Sequence, residues 1–337
     1  MNLSYSHLKK YFFVATACCL VNASCTNQET KKSETPTSTT KNKPTPKIAA
    51  PQFNADSAYI FIEKQVSFGP RVPSTKAHEA CATYLQNKFK QIGCDVVLQT
   101  ANQRTFDGKN HTLKNIIASI NKDAPNRILL CAHWDTRPFA DRDVSRKNEP
   151  IDGANDGASG VGVLLEIARV LAQTNSKLGV DFVLFDIEDY GQPNESNFPR
   201  QENSWCLGSQ YWAANPHKPG YYAQYGILLD MVGAADATFC KEGNSEYYAP
   251  QVVNKIWNTA SELGYTKYFI EARSGPITDD HLFVNKILAI PTADIIHMSP
   301  QTGDFGSFHH THNDNMNVID RKTLKAVGQT VLEVLYN

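Results

Sequence analysis

The chain has 337 residues, 41% of them hydrophobic and 20% charged, and a formal net charge of −1. That length suffices for one large α/β domain with a substantial core. The balanced charge, with no Lys/Arg-rich block in the body of the chain, gives no footprint for nucleic acid.

Residues 1–25 read as a targeting segment. Lys9 and Lys10 precede an apolar run from Tyr11 to Val21 that is too short to span a bilayer, and small residues lead to Cys25. Asn22-Ala23-Ser24-Cys25 is a loose bacterial lipobox, with Asn22 where a bulky apolar residue is usual; cleavage after Ala23 is the alternative. Both imply export. Residues 26–50 are Thr, Ser, Lys, Pro and amides, a composition that cannot bury enough surface to fold and so reads as a tether. The expectation is a periplasmic or outer-membrane-anchored lipoprotein of a Gram-negative bacterium, monomeric, touching the membrane only through lipid. Residues 51–337 are expected to form the folded body.

Of eight cysteines, five lie in that body: Cys81, Cys94, Cys131, Cys206 and Cys240. They are dispersed, odd in number and without C-x-x-C spacing, which argues against zinc-thiolate sites and leaves any disulfide undetermined. Cys131 sits in an apolar strand and reads as a small core residue.

In chain order, Asp56–Phe68 has helical spacing. A second helix starts from Ser74 or Thr75 and stops at Gly93. Strands are predicted at Asp95–Thr100, Asn115–Ile120 and Arg127–Ala132, the last running into His133-Trp134-Asp135. After Gly153-Ala154-Asn155-Asp156-Gly157-Ala158-Ser159-Gly160 comes an amphipathic helix, Val161–Ala172. Val180–Phe185 is an apolar, β-branched run that ends in Asp186, Glu188 and Asp189, so it reads as a strand buried on both faces with acids at its C-terminal end. On an extended backbone, the adjacent Glu188 and Asp189 point to opposite sides. A short helix at Cys206–Ala214, a strand Gly226–Val232, a helix Ala249–Leu263, a helix starting at Asp279-Asp280-His281, a strand Ile290–Ile296 and a closing helix Lys322–Leu335 complete the chain. The alternation predicts a three-layer α/β/α sandwich around a mixed, mostly parallel sheet.

Five positions fall at strand ends or in the loops just after them: His133, Asp156, Glu188/Asp189, Asp230 and His310. α/β sheets bind ligands there, and carboxylates with imidazole suit zinc with an open position. Each residue alone has an ordinary structural reading: a surface histidine, a helix cap at Asp156, a satisfied buried acid at Asp230. Jointly those readings require several coincidences.

The order H-x-D, G-A-N-D-G-A-S-G, E-D, L-D-M-V-G and H-H-T is similar to the M28 family of zinc aminopeptidases and their relatives, over about residues 53–337. Within that superfamily the chain more closely resembles the glutaminyl cyclases (glutaminyl-peptide cyclotransferases). Phe68-Gly69-Pro70-Arg71, Trp205-Cys206-Leu207-Gly208-Ser209, Leu229-Asp230-Met231-Val232-Gly233, Thr278-Asp279-Asp280-His281, and His310-Thr311 with Asp314-Asn315 and Asn317 carry this likeness. The resemblance implies a zinc exopeptidase-like fold and one zinc per chain, held by Asp156, Asp189 and His310. It implies Glu188 as the proton-transfer residue and Asp230 and Asp279 as a hydrogen-bonded acid pair beside the substrate. Phe305 and Trp205 fit pocket walls. The sequence departs from animal members at His309, where they carry Trp. Asp189 stands where some members have Glu.

The implied reaction is cyclisation of N-terminal glutamine, and slowly glutamate, of peptides to pyroglutamate with release of ammonia. A two-zinc aminopeptidase would recruit His133 and Asp230 as extra ligands, and both are present; His133 and Asp135 are thus candidates for a second metal or for orienting ligands. Asp279 has no role in the two-metal scheme, which favours the cyclase. A catalytically dead peptide-binding lipoprotein is the third alternative, against which the retained Glu188 argues.

Overall fold

The computed structural model describes residues 49–174 and 176–337. The expected targeting segment and nearly all of the tether lie outside the described residues. No helix among the described residues is long and apolar enough to cross a membrane.

Helix α1 (Ala55–Val66) starts where the Asn54 side chain accepts the N–H of Asp56 and Ser57, and it buries Ala58, Phe61, Ile62 and Gln65. Helix α2 (Lys76–Ile92) is capped by Thr75, not Ser74, and ends at Gly93. Strands β1 (Asp95–Arg104), β2 (Asn110–Ile120) and β3 (Arg127–His133) follow, then α3 (Ala158–Gln173), β4 (Gly179–Phe185), α4 (Leu207–Ala214) and β5 (Gly226–Asp230). Next come β6 (Phe239–Lys241), α5 (Gly243–Tyr248), α6 (Pro250–Glu262), β7 (Phe269–Arg273), the short α7 (Asp280–Phe283), β8 (Thr292–Ile296) and α8 (Arg321–Tyr336).

Among the described residues, six strands form the main sheet in the order β1-β2-β4-β3-β5-β8. The β4-β3, β3-β5 and β5-β8 pairs are parallel; β1-β2 and β2-β4 are antiparallel. The sheet is therefore mixed and mostly parallel, as predicted. Strand alternation sorts the core into layers. Ile128, Leu130, Ala132, Phe182, Leu184, Ile227 and Leu229 pack with α1, α2, α3, α6 and α8 on one face. Leu129, Cys131, Val183, Phe185 and Leu228 pack with Trp212 of α4 and Val284 on the other. These two faces are the outer layers of the expected sandwich.

A second, two-stranded parallel sheet pairs β6 with β7. The sequence reading missed it and α5, because three- and five-residue strands leave too little periodicity to register. All five cysteines of the body are buried and unpaired.

One local expectation is corrected. The strand bearing the acids stops at Phe185, and Ile187 adopts a left-handed conformation (φ 53°). Glu188 and Asp189 therefore diverge from a bend and not from an extended backbone.

Candidate active site

The parallel strands β3, β4, β5 and β8 deliver their C-terminal loops to one cleft of about 690 Å³, lined among others by Asp156, Glu188, Asp189, Trp205, Asp230, Asp279, Phe305 and His310. Every sequence-predicted catalytic, metal and pocket-wall residue is in that lining, whereas His133 and Asp135 lie just beneath it, buried.

Two connected groups form its floor. His310 Nε2 lies 3.2 Å from Asp189 Oδ1 and 3.7 Å from Asp156 Oδ2. His133 Nε2 lies 3.0 Å from Asp156 Oδ1 and 3.2 Å from Asp230 Oδ1. Asp156 is thus shared. Its side chain does not cap α3, whose N-terminus has no side-chain cap, so the helix-cap reading of Asp156 falls. His309, whose ring lies 3.6 Å from that of His310, is also within 3.9 Å of Asp156 Oδ2. The acid pair is arranged differently from the expectation. Asp230 spends its hydrogen bond on His133. Asp279 caps α7 through the N–H of Asp280, and its Oδ2 is buried without a hydrogen-bond partner.

The loops are cross-tied through their backbones. Asp314 accepts the N–H of Asn155 (2.7 Å) and Asp156 (3.0 Å), fixing the G-A-N-D-G turn. Asn155 Oδ1 and Ser159 Oγ accept the N–H of Gly233 and Val232, tying that turn to the loop after β5. Gly157 (φ +98°) permits the turn, since a Cβ there would meet the Asp135 carbonyl at 2.7 Å. Asp135 accepts the N–H of both Glu188 and Asp189. Asp186, the first of the three acids, faces away from the cleft: it binds His78 Nε2 and the N–H of Lys114.

Several residues were not singled out from sequence. Asp141 Oδ1 lies 3.3 Å from His310 Nδ1 and also binds Arg137. A carboxylate so placed would orient the imidazole if His310 ligates a metal. Arg137 holds the carbonyl of Asp189 at 2.9 Å and lies over the Trp205 ring, which is parallel to that of His310. Glu242 caps α5, takes the N–H of Ile277 and binds His281 Nε2 at 3.0 Å, so it braces both sides of Asp279. Cys206, named from sequence only as part of the Trp205–Ser209 stretch and as a dispersed cysteine, donates through Sγ to Glu188 Oε1 at 3.1 Å. General chemistry asks for such supports, but the 169 residues separating Asp141 from His310 hide the pairing from a linear reading.

Electrostatics set the needs of the floor. Burial, with Asp189, Asp279 and Asp280 nearby, holds the Glu188 carboxyl well above its ordinary range against the opposing pull of His133. Burial, with Asp156 nearby, raises Asp189 to about 6. Burial pushes Asp230 up to about 7 although His133 pulls it down. So many buried acids against two imidazoles call for a cation. The residues fit one: Asp189 Oδ2 is buried without a hydrogen-bond partner, and two carboxylates with an imidazole are a zinc donor set.

Residues 115–335 match the model of peptidase family M28. The chain belongs to this family. A glutaminyl cyclase of Bacteroides thetaiotaomicron, solved with N-acetylhistamine bound, is 53% identical with a TM-score of 0.83, covering 86% of this chain and 99% of that one. A structure described as a leucine aminopeptidase precursor of the same organism is 52% identical with a TM-score of 0.82, covering 86% and 98%. The glutaminyl-peptide cyclotransferase of Drosophila melanogaster is 26% identical over 283 residues, 75% of this chain and 73% of the fly protein. The zinc exopeptidase-like fold expected from the M28 resemblance is therefore the fold found.

Proposed function

We propose that the protein is a zinc-dependent glutaminyl-peptide cyclotransferase, converting N-terminal glutamine, and slowly glutamate, of peptides to pyroglutamate with loss of ammonia. The observation that carries this reading is the meeting of Glu188 and Asp279 in the cleft that Asp156, Asp189 and His310 floor. The family's cyclases, one of them 53% identical, support it.

Asp156, Asp189 and His310 would hold one zinc, which when bound would supply Lewis-acid polarisation of the amide carbonyl. The substrate's own α-amine attacks its γ-carbonyl carbon, so the enzyme needs no water nucleophile and gains from proximity. Glu188, held above its ordinary range by burial and the neighbouring acids, takes the amine proton and delivers it to the amide nitrogen. The new C–N bond closes the ring, the old one breaks and ammonia leaves. Asp230 and Asp279 hold the α-amine. Trp205 and Phe305 wall the side chain, and Asp135 and Asp141 hold the ligating groups in place.

The second reading, a two-zinc aminopeptidase, rests on the ligand-like grouping of His133, Asp156 and Asp230. Against it stand Asp279, which lines the cleft but has no role in a two-metal scheme, and the cyclases among the relatives.

Product mass from a Gln-initiated peptide decides between them: loss of ammonia for the cyclase, gain of water for the peptidase. Zinc content near one per chain, against near two, is the companion measurement. The pattern of residues 1–50 supports export and attachment through a lipid on Cys25, which mass analysis of the N-terminus, with Cys25→Ser as control, tests.

A further inference from the structure

A second concavity of about 540 Å³ adjoins the active cleft, and the two share Asp141, Arg142, Pro193 and Asn194 as walls. Its lining includes three phenylalanines: Phe106, Phe139 and Phe198. Phe106 meets Phe198 edge-on at 5.7 Å and Phe139 edge-on at 6.1 Å. Phe139 in turn lies under the Arg137 guanidinium at 5.3 Å, the same group that covers Trp205 in the active cleft.

Phe198 is 47% exposed, and a lone exposed aromatic needs no explanation. This one is presented by a built loop. Gln192 is buried and organises residues 192–204 from within. Its Nε2 donates to the carbonyls of Phe198 and Pro199, its Oε1 accepts the N–H of Gln201, and its own N–H reaches Ser204 Oγ. The Phe198 N–H donates to Ser196 Oγ, so the backbone that presents the ring is held at its N–H and its carbonyl. The same loop walls the active cleft through Gln192, Pro193, Asn194 and Arg200.

We propose that this aromatic concavity is a substrate subsite that takes an apolar, preferably aromatic, side chain of the peptide beyond its first residue. The inference rests on the cyclase reading above. Cyclisation consumes only the first residue, and the rest of the peptide must leave through the mouth of the cleft, where the shared wall leads into the second concavity. An incoming ring meets three rings already in edge-on contact, and such aromatic pairs add to simple apolar burial. A contact this far from the reacting atoms is made alike in ground and transition states, so it appears in KM more than in kcat.

The test is a set of Gln-initiated, C-terminally amidated pentapeptides, all glycine after the first residue or with a single Phe at position 2, 3, 4 or 5. Ammonia release is measured with the full enzyme and with Phe198→Ser and Phe198→Leu. At one position the Phe peptide should exceed the all-glycine peptide in kcat/KM by about tenfold, chiefly through KM. That ratio should fall toward one in Phe198→Ser and be largely kept in Phe198→Leu. A flat ratio at every position, or a ratio unchanged in Phe198→Ser, overturns the subsite while leaving the cyclase reading intact. Absence of ammonia from every peptide overturns the cyclase reading, and the subsite with it.

Discussion

The buried carboxylate of Asp135 accepts the backbone N–H of Glu188 at 3.1 Å through Oδ1, and its other oxygen accepts the N–H of Asp189 at 3.2 Å. One side chain thus sets the position of both the proposed proton-transfer acid, Glu188, and a proposed zinc ligand, Asp189. Asp135→Ala leaves the buried Asp189 N–H unpaired, at about 1–3 kcal/mol, and frees the part-buried N–H of Glu188. Zinc affinity or ammonia release should fall about 10- to 100-fold, the range for lost supports of metal ligands. Zinc retained after dialysis and initial rates check this; unchanged values would refute the bracing role.

Glu188→Gln should lower kcat by about 10²- to 10⁴-fold, the usual contribution of a positioned general base. Zinc content and peptide affinity should stay near wild type, because Glu188 is outside the proposed metal-binding trio of Asp156, Asp189 and His310. Calorimetric titration with a Gln-peptide, alongside turnover, separates the two. A wild-type protein that already binds without turning over would point to a binding module.

Gly191 is the place where the backbone of the acid loop meets Trp205. A Cβ on Gly191 would lie 1.8 Å from the Trp205 ring, and that ring already packs on the Arg137 guanidinium and lies parallel to the His310 ring. Gly191→Ala should cost about 1–3 kcal/mol of stability through overpacking and raise KM for Gln-peptides by displacing the cleft wall. Urea unfolding and initial rates measure both, and a neutral outcome in both would show that Trp205 is not held there.

Acid should destabilise the fold through His217. Burial lowers its pKa from 6.5 to about 4, although Asp181 pulls the other way. The folded state keeps the ring neutral, with Nδ1 accepting the indole N–H of Trp212 at 3.3 Å. Between pH 6.5 and 4 the unfolded chain therefore binds the extra proton, so stability falls as pH drops through that window and levels off below it. Because the ring is partly exposed, the loss is of order 1–2 kcal/mol. Denaturant titrations at pH 7 and pH 4.5 should show His217→Gln losing less on acidification than the wild type.

Much of this was legible in the linear chain because the signals are local. The apolar run Val180–Phe185, ending in acids, announces a strand buried on both faces, and the alternation of such runs with helices announces the layered fold. Asp156, Glu188, Asp189, Asp230 and His310 stand at strand ends or in the loops just after them, positions that a parallel sheet gathers at one end, whereas Asp279 was legible only through the resemblance carried by Thr278-Asp279-Asp280-His281. Glu242 and Asp141 were not legible, because nothing in their own neighbourhoods marks them. Their meaning comes from His281 and His310, which folding brings beside them.

The sequence by itself determined the layered α/β architecture and which side chains converge at the ends of the strands, since strand periodicity and strand-end chemistry are properties of neighbouring residues. Only the tertiary structure decided how those side chains are shared out: Asp156 between two histidines, Asp230 bound to His133 instead of Asp279, and Asp186 turned to His78. Hydrogen bonds are allotted by distance and direction in space, and residues a hundred positions apart acquire these only when the sheet assembles.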